Sequence, residues 1–308
     1  MNIRKVTVLG AGNLGAQIAF RVAYHGFDTT SYDISDEALQ GARGRFESIA
    51  DNYAKDLPGV SKEDARKAFD HLTQTSDLAE AVKDADLIIE AVPEHLALKQ
   101  ETYSKIKDLL KPDAIVVSNS STLLPSDMAE YTGRPEKFMS YHFANAIHVM
   151  NIVETMPHPG TSAETREAVI AFAPQMGMVP VILEKEQPGY VINSLLVPWL
   201  VNGAELWVKG VATIESIDGV AAVITQSNNA SFAPFRMFDF VGFGVAQALF
   251  SQSPDPVAQE FARRLKEDFI DKGKLGVETR EGFYHYDEQG NATGLTDAAK
   301  AAYPDCEG

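Results

Sequence analysis

Residues 5–26, KVTVLGAGNLGAQIAFRVAYHG, decide the fold. A short apolar run with strand character ends in Gly10, and a helix-spaced segment then runs to Gly26. Gly10, Gly12 and Gly15 have the G-x-G-x-x-G spacing, directly after the strand and opening the helix. Each glycine has its own reason. The first permits a tight turn, the second lets the backbone approach a pyrophosphate, and the third lets helix and strand pack closely. The helix start, with Asn13 and Leu14 in its first turn, offers unpaired N–H groups and a positive dipole end to phosphates.

An acidic residue is expected about 20 positions further on, at the end of a second strand. FDTTSYD (27–33) supplies Asp33 there. Its carboxylate suits an adenosine ribose diol and repels a 2′-phosphate. Ile34, Ser35, Asp36 and Glu37 add no arginine that could host one. The expected cofactor is therefore NAD rather than NADP. FAD shares the fingerprint, but the chemistry read further along the chain suits a nicotinamide better.

Outward from this unit the pattern continues. Helical stretches are expected at 37–54 and 61–70, a buried strand at 85–93, and an amphipathic helix at 96–110 that stops before Pro112. Further strands are read at 114–121, 137–144, 151–156 and 179–183. This alternation predicts an α/β fold with a doubly wound, Rossmann-type, mainly parallel sheet of about eight strands over residues 1–186. At EKEQPGY (184–190) the pattern changes. Helical periodicity then predicts a smaller all-α domain over 187–308.

The 308 residues suffice for two domains, and 45% hydrophobic with 23% charged content is that of a globular protein. A formal charge of −16 argues against a nucleic-acid or anionic-membrane partner. One cysteine, Cys306, excludes an internal disulfide and points to a reducing setting. The N-terminal residues run straight into a strand, which leaves no room for a signal peptide, and no apolar run is long enough to span a bilayer. A cytoplasmic protein is expected.

SYHFANAIHVMNIVE (140–154) carries the candidate chemistry. Hydride transfer between an alcohol and NAD needs a base for the hydroxyl proton, and histidine suits this near neutral pH. A carboxylate on the second ring nitrogen fixes the tautomer and stabilises the charge that develops. His142 and Glu154 lie twelve residues apart on successive strands, as in a chain that runs out, turns and returns. Read alone, a strand-end histidine is more often a hydrogen-bonded core residue.

The glycines, Asp33, IIEAVPEHLALK (88–99), SNSST (118–122), HFAN (142–145), VMNIVE (149–154), PGYVINSLLVP (188–198) and EGFYHYD (281–287) occur in one order. Together they resemble the L-3-hydroxyacyl-CoA dehydrogenase family, which includes the 3-hydroxybutyryl-CoA dehydrogenases. The resemblance implies NAD-dependent interconversion of a short-chain L-3-hydroxyacyl-CoA and its 3-keto form, with a place in fatty acid metabolism. It assigns the base to His142 and its partner carboxylate to Glu154. Ser121 and Asn193 become donors to the reacting oxygen, and Glu94, Lys99 and Asn145 become cofactor contacts. The apolar stretch 232–250 is too hydrophobic for a solvated helix pair and is the expected homodimer interface, as the resemblance to a dimeric family also implies; Gly189 to Gly203 is expected to close the cleft and bring Asn193 to it.

The chain departs from the family in places. Ala146, Ile147 and His148 stand where Pro-Val-Pro is usual, Asn193-Ser194 replaces Asn-Arg, and Glu278 replaces a lysine. The helix after Asp33, commonly lysine-rich where it holds CoA phosphates, offers Arg43, Arg45 and Lys55 against Glu47, Asp51 and Asp56. SSTLLPSD (120–127) and VETMPHPGTS (153–162) resemble relatives that dispense with CoA, such as L-gulonate 3-dehydrogenase and lambda-crystallin. The GKLG…EGFY ending places the acyl-CoA thioester first and a CoA-free 3-hydroxy acid or keto ester second, the latter a diketoreductase-like activity. A non-catalytic NAD-binding scaffold is a third reading, against which the intact set of Ser121, His142, Glu154 and Asn193 speaks. His148 is expected beside the substrate entrance, as an incidental surface histidine or as a substrate contact.

Overall fold

A computed structural model describes residues 2–226 and 232–300; Cys306 lies outside them. The chain divides into two compact units, Met1–Ile192 and Asn193–Gly308.

The first unit opens with β1 (Lys5–Leu9), α1 (Asn13–Tyr24), β2 (Asp28–Tyr32), α2 (Asp36–Asp56) and α3 (Lys62–Arg66). It continues through β3 (Leu72–Thr75), α4 (Leu78–Val82), β4 (Leu87–Glu90), α5 (Leu96–Ile106) and β5 (Ile115–Ser118). The antiparallel pair β6 (Phe138–Phe143) and β7 (Ile152–Met156) follows, then α6 (Ala163–Gln175) and β8 (Val179–Ile182). The strands form one sheet of order β3-β2-β1-β4-β5-β6-β7-β8. Strands β1 to β6 run parallel, and β7 and β8 run the other way.

Side chains alternate between the two faces of a strand, and here both faces are covered. Val6, Val8, Leu87, Ile89, Ile115, Val117, Met139 and Tyr141 pack with α1, α2 and α6 residues such as Phe20, Phe46 and Phe172. Leu9, Ile88, Val116 and Phe138 pack with α4 and α5 residues such as Val82, Tyr103 and Ile106. This is the doubly wound arrangement. Edge strand β3 was not legible in the sequence: Leu72, Thr73, Gln74 and Thr75 are half-buried or exposed and carry no apolar run. Helix α2 starts where Ser35 accepts a hydrogen bond from the Ala38 amide (3.2 Å), with Asp36 and Glu37 favourably placed on the positive dipole end.

The first compact unit runs to Ile192. Residues 187–192 are bound into the first unit, because Tyr190 donates to the Ser120 carbonyl and the amides of Val191 and Ile192 donate to Glu154.

The second unit holds most of α7 (Ile192–Val208), then α8 (Ile214–Thr225), α9 (Pro234–Val241), α10 (Phe243–Ser251) and α11 (Pro256–Arg264). It is not wholly helical. Strands β9 (Tyr284–Tyr286) and β10 (Ala292–Leu295) form an antiparallel pair before the short α12 (Asp297–Lys300). Buried Asp239 anchors the first of these strands by accepting from the amides of Phe283 and Tyr284 and from the Tyr286 hydroxyl. The apolar stretch 232–250 divides by face. Phe235, Phe238, Phe243 and Phe250 are buried in the unit's own core, whereas Phe240, Val245 and Leu249 are exposed. Among the described residues no helix is long and apolar enough to cross a membrane.

Candidate active site

In the strand order, β1 lies between β2 and β4, and chain connections leave it in both directions. Open α/β sheets bind ligands at such a switch point, beyond the carboxyl ends of the strands. The glycine loop sits there. Gly10 has φ +100°, and a Cβ on it would stand 2.6 Å from the Ala91 carbonyl oxygen just past β4. A Cβ on Gly15 would fall on the Gly10 carbonyl oxygen, whereas one on Gly12 would meet nothing within 4 Å. The helix start is thus tightly built on two sides and open at Gly12, the N-cap of α1, where no side chain occupies the orphan amides. Asp33 accepts from the Ala11 amide through Oδ2 and from the Ile34 amide through Oδ1, both at 2.8 Å. Each oxygen keeps room for a ribose hydroxyl. These residues fit an NAD molecule with its pyrophosphate on the loop and its adenosine ribose on Asp33.

Ser121, His142 and Glu154 meet at the same sheet edge. In the antiparallel pair, His142 is registered directly opposite Glu154, so the two side chains leave the same face side by side. His142 Nδ1 lies 2.9 Å from Glu154 Oε2, and Nε2 lies 3.1 Å from Ser121 Oγ. Glu154 is fully buried and His142 is 6% exposed. The second carboxylate oxygen, Oε1, accepts from the Val191 and Ile192 amides at 2.8 and 2.9 Å. The two backbone donors occupy Oε1 and leave Oε2 to accept from the imidazole. That assigns the neutral imidazole proton to Nδ1 and leaves the Nε2 lone pair facing the Ser121 hydroxyl. Such a line can take a proton at Nε2 while the carboxylate holds the ring and balances its new charge.

Glu94 fixes the serine loop. Its Oε1 accepts from Ser120 Oγ (2.6 Å), Ser121 N (2.9 Å), Thr122 N (2.8 Å) and Thr122 Oγ1 (2.9 Å). Burial alone would raise its pKa, but these donors and Lys99 together hold the carboxyl below its usual range. Lys99 is 1% exposed. Its ammonium lies on Glu90 Oε1 (2.6 Å), the Val92 carbonyl (3.2 Å) and Glu94 Oε2 (3.4 Å), one step behind the loop. Asn145 is exposed, three residues past His142, just before Ala146 with φ +53°. Asn193 is the second residue of α7 and the first of the second unit.

His148 is not free to meet a substrate. Its Nε2 lies 2.8 Å from Asp56 Oδ2, and its ring stacks on Tyr53 at 5.4 Å and 22°. The imidazole holds the β6–β7 turn against the end of α2.

Three contributors escaped the sequence reading. Glu90 is fully buried and also accepts from Tyr103 (2.5 Å) and Ser118 (2.7 Å), which ties β4, α5 and β5 together behind the loop. Burial, reinforced by Glu90, raises the Tyr103 hydroxyl well above its usual value. The two amides on Glu154 are backbone groups, invisible in a sequence. Tyr190 stacks on His142 at 4.5 Å and 21°, and its position beside Gly189 in PGYVIN was the one available signal.

The family description "3-hydroxyacyl-CoA dehydrogenase, NAD binding domain" matches residues 5–187, and "3-hydroxyacyl-CoA dehydrogenase, C-terminal domain" matches residues 189–286. A probable 3-hydroxyacyl-CoA dehydrogenase of Caenorhabditis elegans is 31% identical over 92% of this chain and 96% of its own length. A solved (S)-3-hydroxybutyryl-CoA dehydrogenase from Ralstonia eutropha is 28% identical with TM-score 0.76, covering 93% of this chain and all of that one. A solved diketoreductase, described in terms of substrate-directed dual catalysis of dicarbonyl compounds, is 49% identical with TM-score 0.87 over the same shares. With its glycine loop, Asp33 and both family domains in sequence, the chain belongs to the NAD-dependent 3-hydroxyacyl-CoA dehydrogenase family.

Proposed function

We propose that this dehydrogenase interconverts a 3-hydroxy compound and its 3-keto counterpart through the His142–Glu154 pair, and that its substrate is a CoA-free keto acid, keto ester or related dicarbonyl. The hydrogen-bonded line Ser121–His142–Glu154 carries the reading. In oxidation, Nε2 of His142 removes the hydroxyl proton, the Ser121 hydroxyl turns to hydrogen-bond the developing oxyanion, and Glu154 stabilises the imidazolium. In reduction the same nitrogen returns the proton. When bound, NAD would supply the hydride acceptor for oxidation, and its reduced form NADH the hydride donor for reduction.

Two observations favour a substrate without CoA. The 49% likeness to diketoreductase exceeds the likeness to the acyl-CoA relatives above. Helix α2, the lysine-rich CoA-phosphate helix of the acyl-CoA enzymes, here carries three cations (Arg43, Arg45, Lys55) against five carboxylates (Asp36, Glu37, Glu47, Asp51, Asp56). Arg45 is directed to the Ala11 carbonyl and Arg43 to Gln74, which leaves a net negative helix to meet a polyanion. The thioester is the second reading, supported by the family match over both domains. NADH oxidation with acetoacetyl-CoA, acetoacetate and a β-keto ester separates them. The ester or free acid is expected to exceed the thioester in kcat/KM by roughly tenfold or more. A strong preference for the thioester moves the answer to the second reading.

The exposed apolar residues Val211, Val220, Val223, Ile224 and Val245, each at least 60% accessible, support a homodimer. Light scattering is expected to give about twice the 33.6 kDa chain mass, and Val223→Glu to shift it toward the monomer. A wild-type monomer at micromolar concentration would remove this part of the reading.

A further inference from the structure

Buried Tyr190 lies in the Gly-Tyr segment that precedes α7, with φ +55°, the left-handed region that side chains larger than glycine seldom occupy. Such a conformation persists only where surrounding contacts over-determine it, and it clusters at functional sites. Here the contacts are explicit. The Tyr190 hydroxyl donates to the Ser120 carbonyl at 2.6 Å, and its amide donates to the Gln187 carbonyl at 3.0 Å. The next two amides lie on Glu154. Its ring lies nearly parallel to the His142 ring, 4.5 Å between centroids. One short segment therefore grips both members of the pair, His142 by a ring face and Glu154 by two N–H groups.

We infer that Tyr190 is a positioning residue whose aromatic face fixes the plane of His142 and favours its imidazolium form. The inference rests on His142 being the proton acceptor. An imidazole held only at Nδ1 and Nε2 can still tilt about the line joining its two partners. A parallel ring on one face removes that freedom, because the stack must be broken for the ring to rotate. The same face carries the negative potential of an aromatic quadrupole, which attracts the ring more strongly once it is protonated. The hydroxyl adds one contact to the Ser120 carbonyl, while the ring face alone bears on the plane and charge of His142. Charged groups facing this arrangement are Glu154 on β7, Glu94 in the β4–α5 connection against the serine loop, and buried Glu90 behind it with Lys99 as its counter-ion.

The test follows alcohol oxidation by the full-length enzyme with NAD, where the acid limb of the kcat/KM profile reports protonation of the base. Tyr190→Phe keeps the ring and is expected to hold kcat within about threefold with the limb unmoved. Tyr190→Met fills the space without an aromatic face. It is expected to lower kcat by about 10–100-fold, to leave the KM for NAD within about twofold, and to move the acid limb to lower pH by about half to one pH unit. Progressively fluorinated phenylalanines at position 190 keep the shape while weakening the face, so they report even if the Met variant does not fold. The limb should move to lower pH in step with fluorination. A limb that stays fixed across the series overturns the inference, as does a Phe variant that loses as much as the Met variant. His142→Ala with undiminished turnover would remove the underlying assignment instead, and that outcome is independent of position 190.

Discussion

His142→Ala is expected to lower turnover by about two to four orders of magnitude while NADH binds as in the wild type. The split follows from where the residue sits. The dinucleotide elements belong to the glycine loop and Asp33 at β1 and β2, whereas His142 lies on β6, three strands beyond β1 in the sheet. Removing the imidazole leaves the first set of contacts intact and deletes the group proposed to take the hydroxyl proton. Glu154→Gln tests the other half. An amide oxygen can still accept from Nδ1, but it no longer neutralises an imidazolium, so kcat should fall with little change in KM. Single-turnover kinetics and fluorescence titration with NADH check both. Normal turnover in the alanine variant would end the assignment of His142 as base.

The second large effect concerns stability. Glu90→Ala is expected to cost about 3–5 kcal/mol, because it removes the nearest carboxylate from the Lys99 ammonium, in a site 1% exposed, and leaves it only the Val92 carbonyl and the more distant Glu94. Four donors converge on this carboxylate: the Lys99 ammonium, the Tyr103 hydroxyl, the Ser118 hydroxyl and the Val92 amide. Coulombic attraction within the pair matters less than the desolvation of the partner left behind. Pairing Glu90→Gln with Lys99→Met should therefore recover more than half of the loss, since it removes the cation along with the anion. Urea denaturation of the three proteins measures this. A loss under about 1 kcal/mol in the single variant would mean that water or a shifted side chain solvates Lys99.

Much of this was legible in the sequence, for identifiable reasons. The glycine spacing, Asp33 and the continuous apolar runs of β4 and β5 follow from backbone sterics and two-sided burial, which act locally. The His142–Glu154 pair was legible as a twelve-residue out-and-back path, and the antiparallel register supplied the contact. What escaped depends on long-range placement. Edge strand β3 has one neighbour and no apolar signal. Glu90 reads as an ordinary strand-end acid until Lys99 and Tyr103, one helical turn apart on α5, close over it. His148 reads as unpartnered because Asp56 and Tyr53 lie about 90 residues earlier.

The register of β6 with β7 has a consequence for how such a site can change over time. His142 and Glu154 are aligned by the sheet ladder, in which they stand directly opposite, rather than by the side chains of residues 144–151 joining the strands. Replacements in that connection, such as the Ala-Ile-His sequence found here, can therefore accumulate without tilting the imidazole. Exchanging these eight residues for another connection of the same length is expected to leave the pH profile of turnover where it was.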